Sequence, residues 1–495
     1  MFGKTRQQYR RRWEVIDVTV RMSSMQFMHN YKTSLNRTYQ KQQQLFEQAD
    51  GAKIHKGSDN PIAYTGLMRY RVTENENYQY GQNVDNAISW MKNSDSVIQN
   101  MTDNMKTFSE KTVQAANTYL SEADSKSIAL EMKAIIDETM ANCNHQLGDR
   151  YLFAGQKDTV QPFVMSDETF SRGLAKTLDA QQSAFFKSTP GNVASELYQM
   201  LTLDDGAGNT YYLDTVSGYV YDKKFVDEGY KNAVTLGYTT VNDEHAEGGT
   251  AGEYYAVGKM AEGFKVSDAF SNTGVVHTEV AEGEQLEFLT YKEDGADDDG
   301  NALYTVTGLN IYFKDDEDYS SDATALNFTT ISQHIVNYRG DNNHISMVKM
   351  NGATDKNSDV VNITGQDMFG YDIFDDENSG NEQSGSAMLN EMLGVYEKVS
   401  AGDAHWLTSD GVTVSDVVHA TITISETTTG SRLQLYTNVQ DMLNNQSTII
   451  TEDITRVSGT DVAELATKLM ELTTIYNLAL SLGGRVLPQS LADYL

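Results

Sequence analysis

The side chains that could do chemistry are few and poorly grouped. Nine histidines are spread along 495 residues, and none has the H-E-x-x-H spacing that would put two metal ligands and a base on one helical face. They read as surface or core residues. Cys143 lies close to His145, a pairing that could activate a thiol. Positions two apart on a helix do not face each other, so a packed, unreactive cysteine is the better reading. The acidic stretch Asp294 to Gly300 invites a calcium site. Placing Gly300 at the EF-hand glycine position puts Gly295 at the first ligand and Val306 at the last, neither with a side-chain oxygen. A solvated loop is preferred there, with a looser calcium site as its alternative. Neither common phosphate-cradling glycine loop is present, nor a G-x-S-x-G nucleophile elbow. The chemistry points to no active site, no metal and no cofactor.

Charge narrows the classes further. The formal net charge is −32, and a surface of that sign repels a nucleic acid, which carries its own dense negative charge. The excess is uneven, because residues 164–382 hold 39 acidic against 13 basic residues. With that many carboxylates, close pairs arise by chance, so their abundance does not indicate an acid-pair hydrolase. Cys143 is the one cysteine, which rules out an internal disulfide and a thiolate-rich metal cluster. No apolar run reaches about eighteen residues, so no membrane-spanning helix is expected. The basic run Arg10-Arg11-Arg12 lacks the apolar stretch and cleavage site of a secretory signal. Residues 1–19 are read as an extension upstream of the true start, with Val20 the initiating position.

Three textures follow along the chain. Apart from Pro61, residues 25–150 lack proline and carry apolar or small side chains at helical spacing. Met28, Leu35 and Ala49 fall on one heptad row, with Gln42 its polar exception, and Tyr31, Thr38, Leu45 and Ala52 on another. A second helix is expected from Val84, Ala87, Ile88 and Met91 through Val97, Met101 and Met105 to Ala115. A third opens at a Ser121 cap ahead of Ile128, Met132, Ile136 and Met140. Residues 164–382 differ: runs such as Tyr211-Tyr212-Leu213, Tyr219-Val220-Tyr221 and Leu309 to Phe313 sit between Gly, Asp and Asn clusters, which are strand and turn signals. Helical texture returns near 386. Val412 to Ile424 is ambiguous, since Thr421-Ile422-Thr423-Ile424 has strand propensity inside a helical setting. Leu465, Leu472, Ala479 and Val486 then form a second heptad row, flanked by Leu469, Ile475, Tyr476 and Leu482, and ended by Pro488.

The expected fold is therefore multi-domain. A long α-helical hairpin, or coiled-coil rod, is built from both chain ends, and a β-rich (α+β) insert lies between them. The expected divisions are a terminal assembly domain (20–60 with 465–495), a helical rod domain (61–163 with 383–464) and the acidic insert (164–382). Contacts for assembly are expected at Met28, Leu35, Leu45, Leu465, Leu472, Ile475, Ala479, Leu482 and Val486.

A family resemblance enters on specific motifs at both ends. Val20-Arg21-Met22-Ser23, Ser58-Asp59-Asn60-Pro61, Asn83-Val84-Asp85 with Trp90-Met91, and Gln114-Ala115-Ala116-Asn117 occur in order. Arg150-Tyr151-Leu152-Phe153-Ala154-Gly155 with Pro162-Phe163 follows. Gly430-Ser431-Arg432, Asp461-Val462-Ala463-Glu464 and the ending Ser490-Leu491-Ala492-Asp493-Tyr494-Leu495 complete the set. Together these resemble the flagellin-like hook-associated proteins of the bacterial hook-filament junction, over about 20–163 and 383–495. Gly51 to Lys56 departs from the family's usual segment, although Gly51, Lys53 and Ile54 are retained, and Cys143 is a second departure. Flagellin itself is the runner-up, and the 58–61 turn and the Asp493-Tyr494-Leu495 ending favour the junction protein.

The resemblance implies that Val412 to Ile424 is part of a long helix, against its local propensity. It also implies an extracellular flagellar subunit, exported by the flagellum's own type III route without a signal peptide and polymerising through its helical ends. The implied partners are the first hook-filament junction protein, flagellin, its own copies in a ring layer and an export chaperone, with no nucleic acid and no membrane. The acidic insert would face outward, as a solubilising spacer or as an adhesin or glycan-binding module.

Overall fold

The computed structural model describes residues 24–486 except 187–197, 244–251, 262–269, 272–273, 276, 279–288, 297–301, 316–317, 348–358, 371 and 375–385. Arg10-Arg11-Arg12, Val20 to Ser23, Asp297-Asp298-Asp299, Pro488, Ser490, Leu491, Asp493, Tyr494 and Leu495 lie outside the described residues, as do the side chains of Met28 and Val486. The chain forms two compact units: Met1–Tyr78 with Asn444–Leu495, and Gln79–Leu443.

The first unit is helical. Helix α1 (Ser24–Glu47) packs on the C-terminal helix, Val462–Val486. Between them, Pro61–Ala115 forms α2, and its start explains the Ser58-Asp59-Asn60-Pro61 signature. Asp59 Oδ2 accepts from the backbone N–H groups of His55 (3.0 Å) and Lys56 (2.9 Å). Asn60 Oδ1 accepts from Ala63 N–H at 3.1 Å while its carbonyl takes the first helical bond from Tyr64. Pro61 then fills the first helical position, where a missing N–H and a fixed φ cost nothing. Asn60→Ala should lower stability by about 1 kcal/mol in urea unfolding, with Asn60→Ser losing far less.

In the second unit, α2 packs with α3 (Glu122–Cys143), α6 (Gly365–Phe369 being α5 and Ala387–Ser400 α6) and α7 (Val412–Ser458); the C-terminal Val462–Val486 helix is α8. Ser121 caps α3 by accepting from Asp124 N–H at 3.2 Å. The core of this bundle holds Met101, Met105, Phe108, Met132, Ile136, Met388, Leu389, Met392, Val418 and Ile422, all at or near complete burial. Cys143 is fully buried among them, its Sγ 3.7 Å from the Met101 sulfur, and burial pushes the thiol well up. Its role is packing.

Among the described residues of 164–382, six strands between Tyr198 and Phe328 close into a barrel. Its strands are β1 (Tyr198–Asp204), β2 (Thr210–Leu213), β3 (Tyr219–Asp222), β4 (Gly258–Met260), β5 (Ala302–Asp315) and β6 (Thr324–Phe328). Each pairs antiparallel with the next, and β6 returns to β1 through Asn327 with Asp204 and Phe328 with Leu203. Closure leaves no open sheet edge along this ring. Alternation along β1 divides two apolar clusters: Leu201 and Leu203 point with Leu213, Val220, Leu309, Ile311 and Leu326, whereas Tyr198 and Met200 pack with Tyr212, Tyr221, Phe185 and Phe186. The latter two come from α4 (Ala180–Phe186).

Candidate assembly site

Helices α1 and α8 run antiparallel. Tyr31 donates its hydroxyl to the Ala479 carbonyl at 2.8 Å, Gln42 Nε2 donates to Thr473 Oγ1 at 3.2 Å, and the Tyr39 and Tyr476 rings lie 6.3 Å apart. At the far end of α1 the pair is tied by backbone bonds, Lys53 N–H to Ser458 O at 2.7 Å and Thr460 N–H to Gly51 O at 2.9 Å. Gly51 to Lys56, the segment that departs from the family pattern, is thus where the chain leaving α1 meets the residues that lead into α8, and Ile54 there is 5% exposed.

Burial along the pair follows a coiled-coil seam. On α1 the half-buried positions are Tyr31, Leu35, Thr38, Gln42 and Leu45, and on α8 they are Leu469, Leu472, Tyr476 and Ala479 with Leu465 buried. Both sets alternate steps of three and four. The sequence rows containing Leu35, Leu45, Leu465, Leu472 and Ala479 therefore lie on the seam. Ile475 and Leu482 do not; they are 52% and 58% exposed. Tyr476 occupies the seam position beside Ile475. Leu478, also exposed, shares the face of Ile475 and Leu482, so these three make an apolar outer stripe along α8, while Met470 and Leu480 are exposed elsewhere on the helix and Tyr39 and Phe46 add exposed rings on α1.

The second motif, Tyr151 to Gly155, is a clasp inside the helical bundle's unit. Leu152, Phe153 and Ala154 are fully buried. Tyr338 donates its hydroxyl toward the carbonyls of Phe153 and Asp341, both at 2.9 Å, and receives Gly365 N–H at 3.3 Å. Asp341 returns the contact, its N–H donating to Ala154 O at 3.0 Å and its Oδ1 accepting Gln156 N–H at 2.7 Å. Gly155 has φ +69°. Pro162-Phe163 completes the arrangement: Asn144 brackets the Phe163 backbone with bonds of 2.9 and 3.0 Å, and the Phe163 ring meets Tyr338 and Phe369.

Sequence reasoning did not find a buried polar network between the barrel and α6. Arg172 makes a two-pronged pair with Asp372 at 2.7 and 3.1 Å, and Asn390 Nδ2 donates to Asp372 at 2.7 Å. Lys176 bridges Asp410 (2.7 Å) and Asp227 (3.1 Å). Gln199 Nε2 donates to Glu391 Oε1 at 2.8 Å. Arg172 and Asp372 are 200 residues apart in the chain, Gln199 and Glu391 192, and Lys176 and Asp410 234, and no local signal links them. No group of three or more candidate metal-binding side chains occurs among the described residues. No described helix is long and apolar enough to cross a membrane.

Residues 19–158 match the family model described as the bacterial flagellin N-terminal helical region. That N-terminal stretch is flagellin-like. The chain is also similar to the flagellar hook-associated protein 3 of Salmonella typhimurium, at 25% identity over 185 residues, covering 37% of this chain and 58% of that one. The Escherichia coli protein of the same name is 26% identical over 157 residues, covering 32% and 49%. The chain thus spans about half the length of the curated relatives it matches. Among solved structures, Xanthomonas campestris FlgL aligns over 77% of this chain and 98% of its own at 12% identity and a TM-score of 0.32. The hook associated protein-3 of Legionella pneumophila aligns over 79% and 98% at 11% identity and a TM-score of 0.33. Those superpositions are too loose to carry weight; long helices with a β-rich centre are what fit a flagellin-like multi-domain fold.

Proposed function

We propose that this chain is a structural subunit of the bacterial flagellum that joins hook to filament and is not an enzyme. The carrying observation is the α1–α8 pair, which satisfies its own seam yet leaves the Ile475, Leu478 and Leu482 stripe exposed on a helix that has more apolar surface than one partner covers. A second copy, the first junction protein and flagellin would cover it in the assembled layer. Each such side chain contributes roughly 1.5–3 kcal/mol when fully buried, so a few per neighbour hold a layer whose strength grows as neighbours add. The acidic 164–382 region would limit lateral sticking by like charge. Passage through the flagellar type III channel, with an export chaperone, and an extracellular destination complete the reading; a nearly cysteine-free chain suits such a route.

Deletion of the gene tests this. Hooks without filaments and flagellin monomers in the medium are expected; unchanged filaments would overturn the junction role. A sharper expectation concerns the stripe. The double substitution Ile475→Gln with Leu482→Gln alters exposed positions only, so helicity by circular dichroism should hold while incorporation into filaments falls at least about tenfold, as loss of about 1.4 kcal/mol per contact set requires. Normal incorporation would show that neighbours use another face.

A further inference from the structure

We propose that the barrel carries a saccharide-binding cleft on its closing seam. β4 is paired on both sides, and Lys259 stands opposite Tyr219 on β3 and opposite Tyr312 on β5. Directly opposed residues in antiparallel ladders share a face, so Tyr219, Lys259 and Tyr312 form a row across three adjacent strands. Their neighbours in sequence, Val220, Met260, Ile311 and Phe313, belong instead to the Leu201 cluster, which places the row on the other side of the sheet. Tyr319 closes over it from the short strand that pairs with the end of β5, with Lys259 Nζ 4.4 Å from its ring centroid. Thr215 and Ser217, in the turn between β2 and β3, add two hydroxyl-bearing side chains. The cleft they line measures about 730 Å³, within the range of roughly 300–1,000 Å³ typical of small-ligand sites.

The chemistry of this lining selects a ligand class. A sugar ring has an apolar C–H face and a rim of hydroxyls; tyrosine offers a flat apolar face with a polar tip, and short hydroxyl side chains serve the rim. Tyr, Ser, Thr and Gly with one cation is also the composition of adaptable recognition surfaces that bind without deep apolar burial. An independent observation points to a missing hydrogen-bonding partner. The Tyr319 hydroxyl is closed to solvent and has no hydrogen-bond partner among the described residues, a costly state that a ligand hydroxyl relieves once the ring turns toward the cleft. A nucleic acid is disfavoured by the 39 acidic against 13 basic residues of the surrounding region. A second copy of the chain carries the same acidic surface and is disfavoured for the same reason.

Saturation-transfer NMR on the full chain tests the site with maltoheptaose, chitohexaose, a laminarin oligomer, sialyl-lactose and an oligogalacturonate, and with a tyrosine-rich peptide as a control. At least one saccharide should give transfer, which Tyr312→Ala should weaken by about tenfold, the scale of one lost stacking contact with its area. Tyr319→Phe, which keeps the ring, should weaken the same saccharide by about threefold. Lys259→Gln, at an exposed position, should weaken only the two acidic sugars. Circular dichroism separates loss of binding from loss of fold. Transfer to the peptide alone, to no saccharide, or undiminished in both Tyr319→Phe and Tyr312→Ala would overturn the proposal. Because binding is read on the isolated protein, its failure leaves the assembly role standing, and failure of that role leaves the cleft.

Discussion

Gly155→Ala should destabilise the second unit by on the order of 3 kcal/mol, from left-handed strain of about 1–2 kcal/mol plus overpacking of about 1–3 kcal/mol. A Cβ at this position would lie 2.1 Å from the Asp341 carbonyl oxygen and 2.2 Å from its Oδ1. Neither atom can step aside cheaply. The carbonyl accepts from the Tyr338 hydroxyl, and Oδ1 accepts from the backbone N–H groups of Gln156 and Asn343, so moving Asp341 breaks the clasp on both sides. Gly148 provides the control: its φ is +70°, yet a Cβ there meets nothing within 4 Å. Gly148→Ala should therefore cost only the backbone strain, about 1–2 kcal/mol. Urea midpoints for the two variants separate the effects, and equal losses would show that Asp341 does not hold the motif.

Much of this arrangement was legible in the sequence, and what was missing has a common cause. Helical spacing located α2 and α3, and Ser121 announced its own cap. Tyr211 to Leu213, Tyr219 to Tyr221 and Leu309 to Phe313 are strands because aromatic and β-branched residues alternate between two apolar clusters. The segment Val412 to Ile424 shows propensity overridden: Val414, Val418 and Ile422 fall four apart and are buried in the bundle core, while the Thr421 and Thr423 hydroxyls turn back to the carbonyls of Val417 and His419. Packing on one face outweighs a few tenths of a kcal/mol of β-branched preference. The heptad rows were readable on α1 and α8, but not which flanking residue would fill the seam, since Ile475 and Tyr476 are adjacent and both apolar. Closure of the barrel, the Asp341 clasp and the Glu391 contacts all join residues far apart in sequence. Pairing across such distances is fixed by the completed core, not by any local pattern.

Glu391 gives the chain a stability that falls as pH rises, opposite to the usual behaviour of carboxylates. Its side chain is buried, and desolvation pushes its pKa up to about 7, opposed by the nearby Arg172 guanidinium and reinforced by Asp372. In the unfolded chain the same group releases its proton near its ordinary value of 4.5. Between those limits the folded state holds a proton that the unfolded state has lost, so folding takes up a proton and stability declines by up to about 1.4 kcal/mol per pH unit. The decline totals about 3 kcal/mol and levels off above about pH 7. Asp367 and Asp410 act with the opposite sign. Burial opposes their ionisation, but His344 holds Asp367 and Lys176 holds Asp410 below the ordinary carboxylate range, so the stability they add is lost only as pH drops through still lower values. The two limbs therefore do not overlap. Glu391→Gln retains an oxygen to accept from Gln199 and cannot ionise; its stability should be flat from about pH 5 to 7 and exceed the parent's at about pH 8 by up to about 3 kcal/mol. Urea unfolding across that range measures both. A parent whose midpoint does not fall between about pH 5 and 7, or a Gln variant that falls in parallel with it, would place the proton elsewhere in the network.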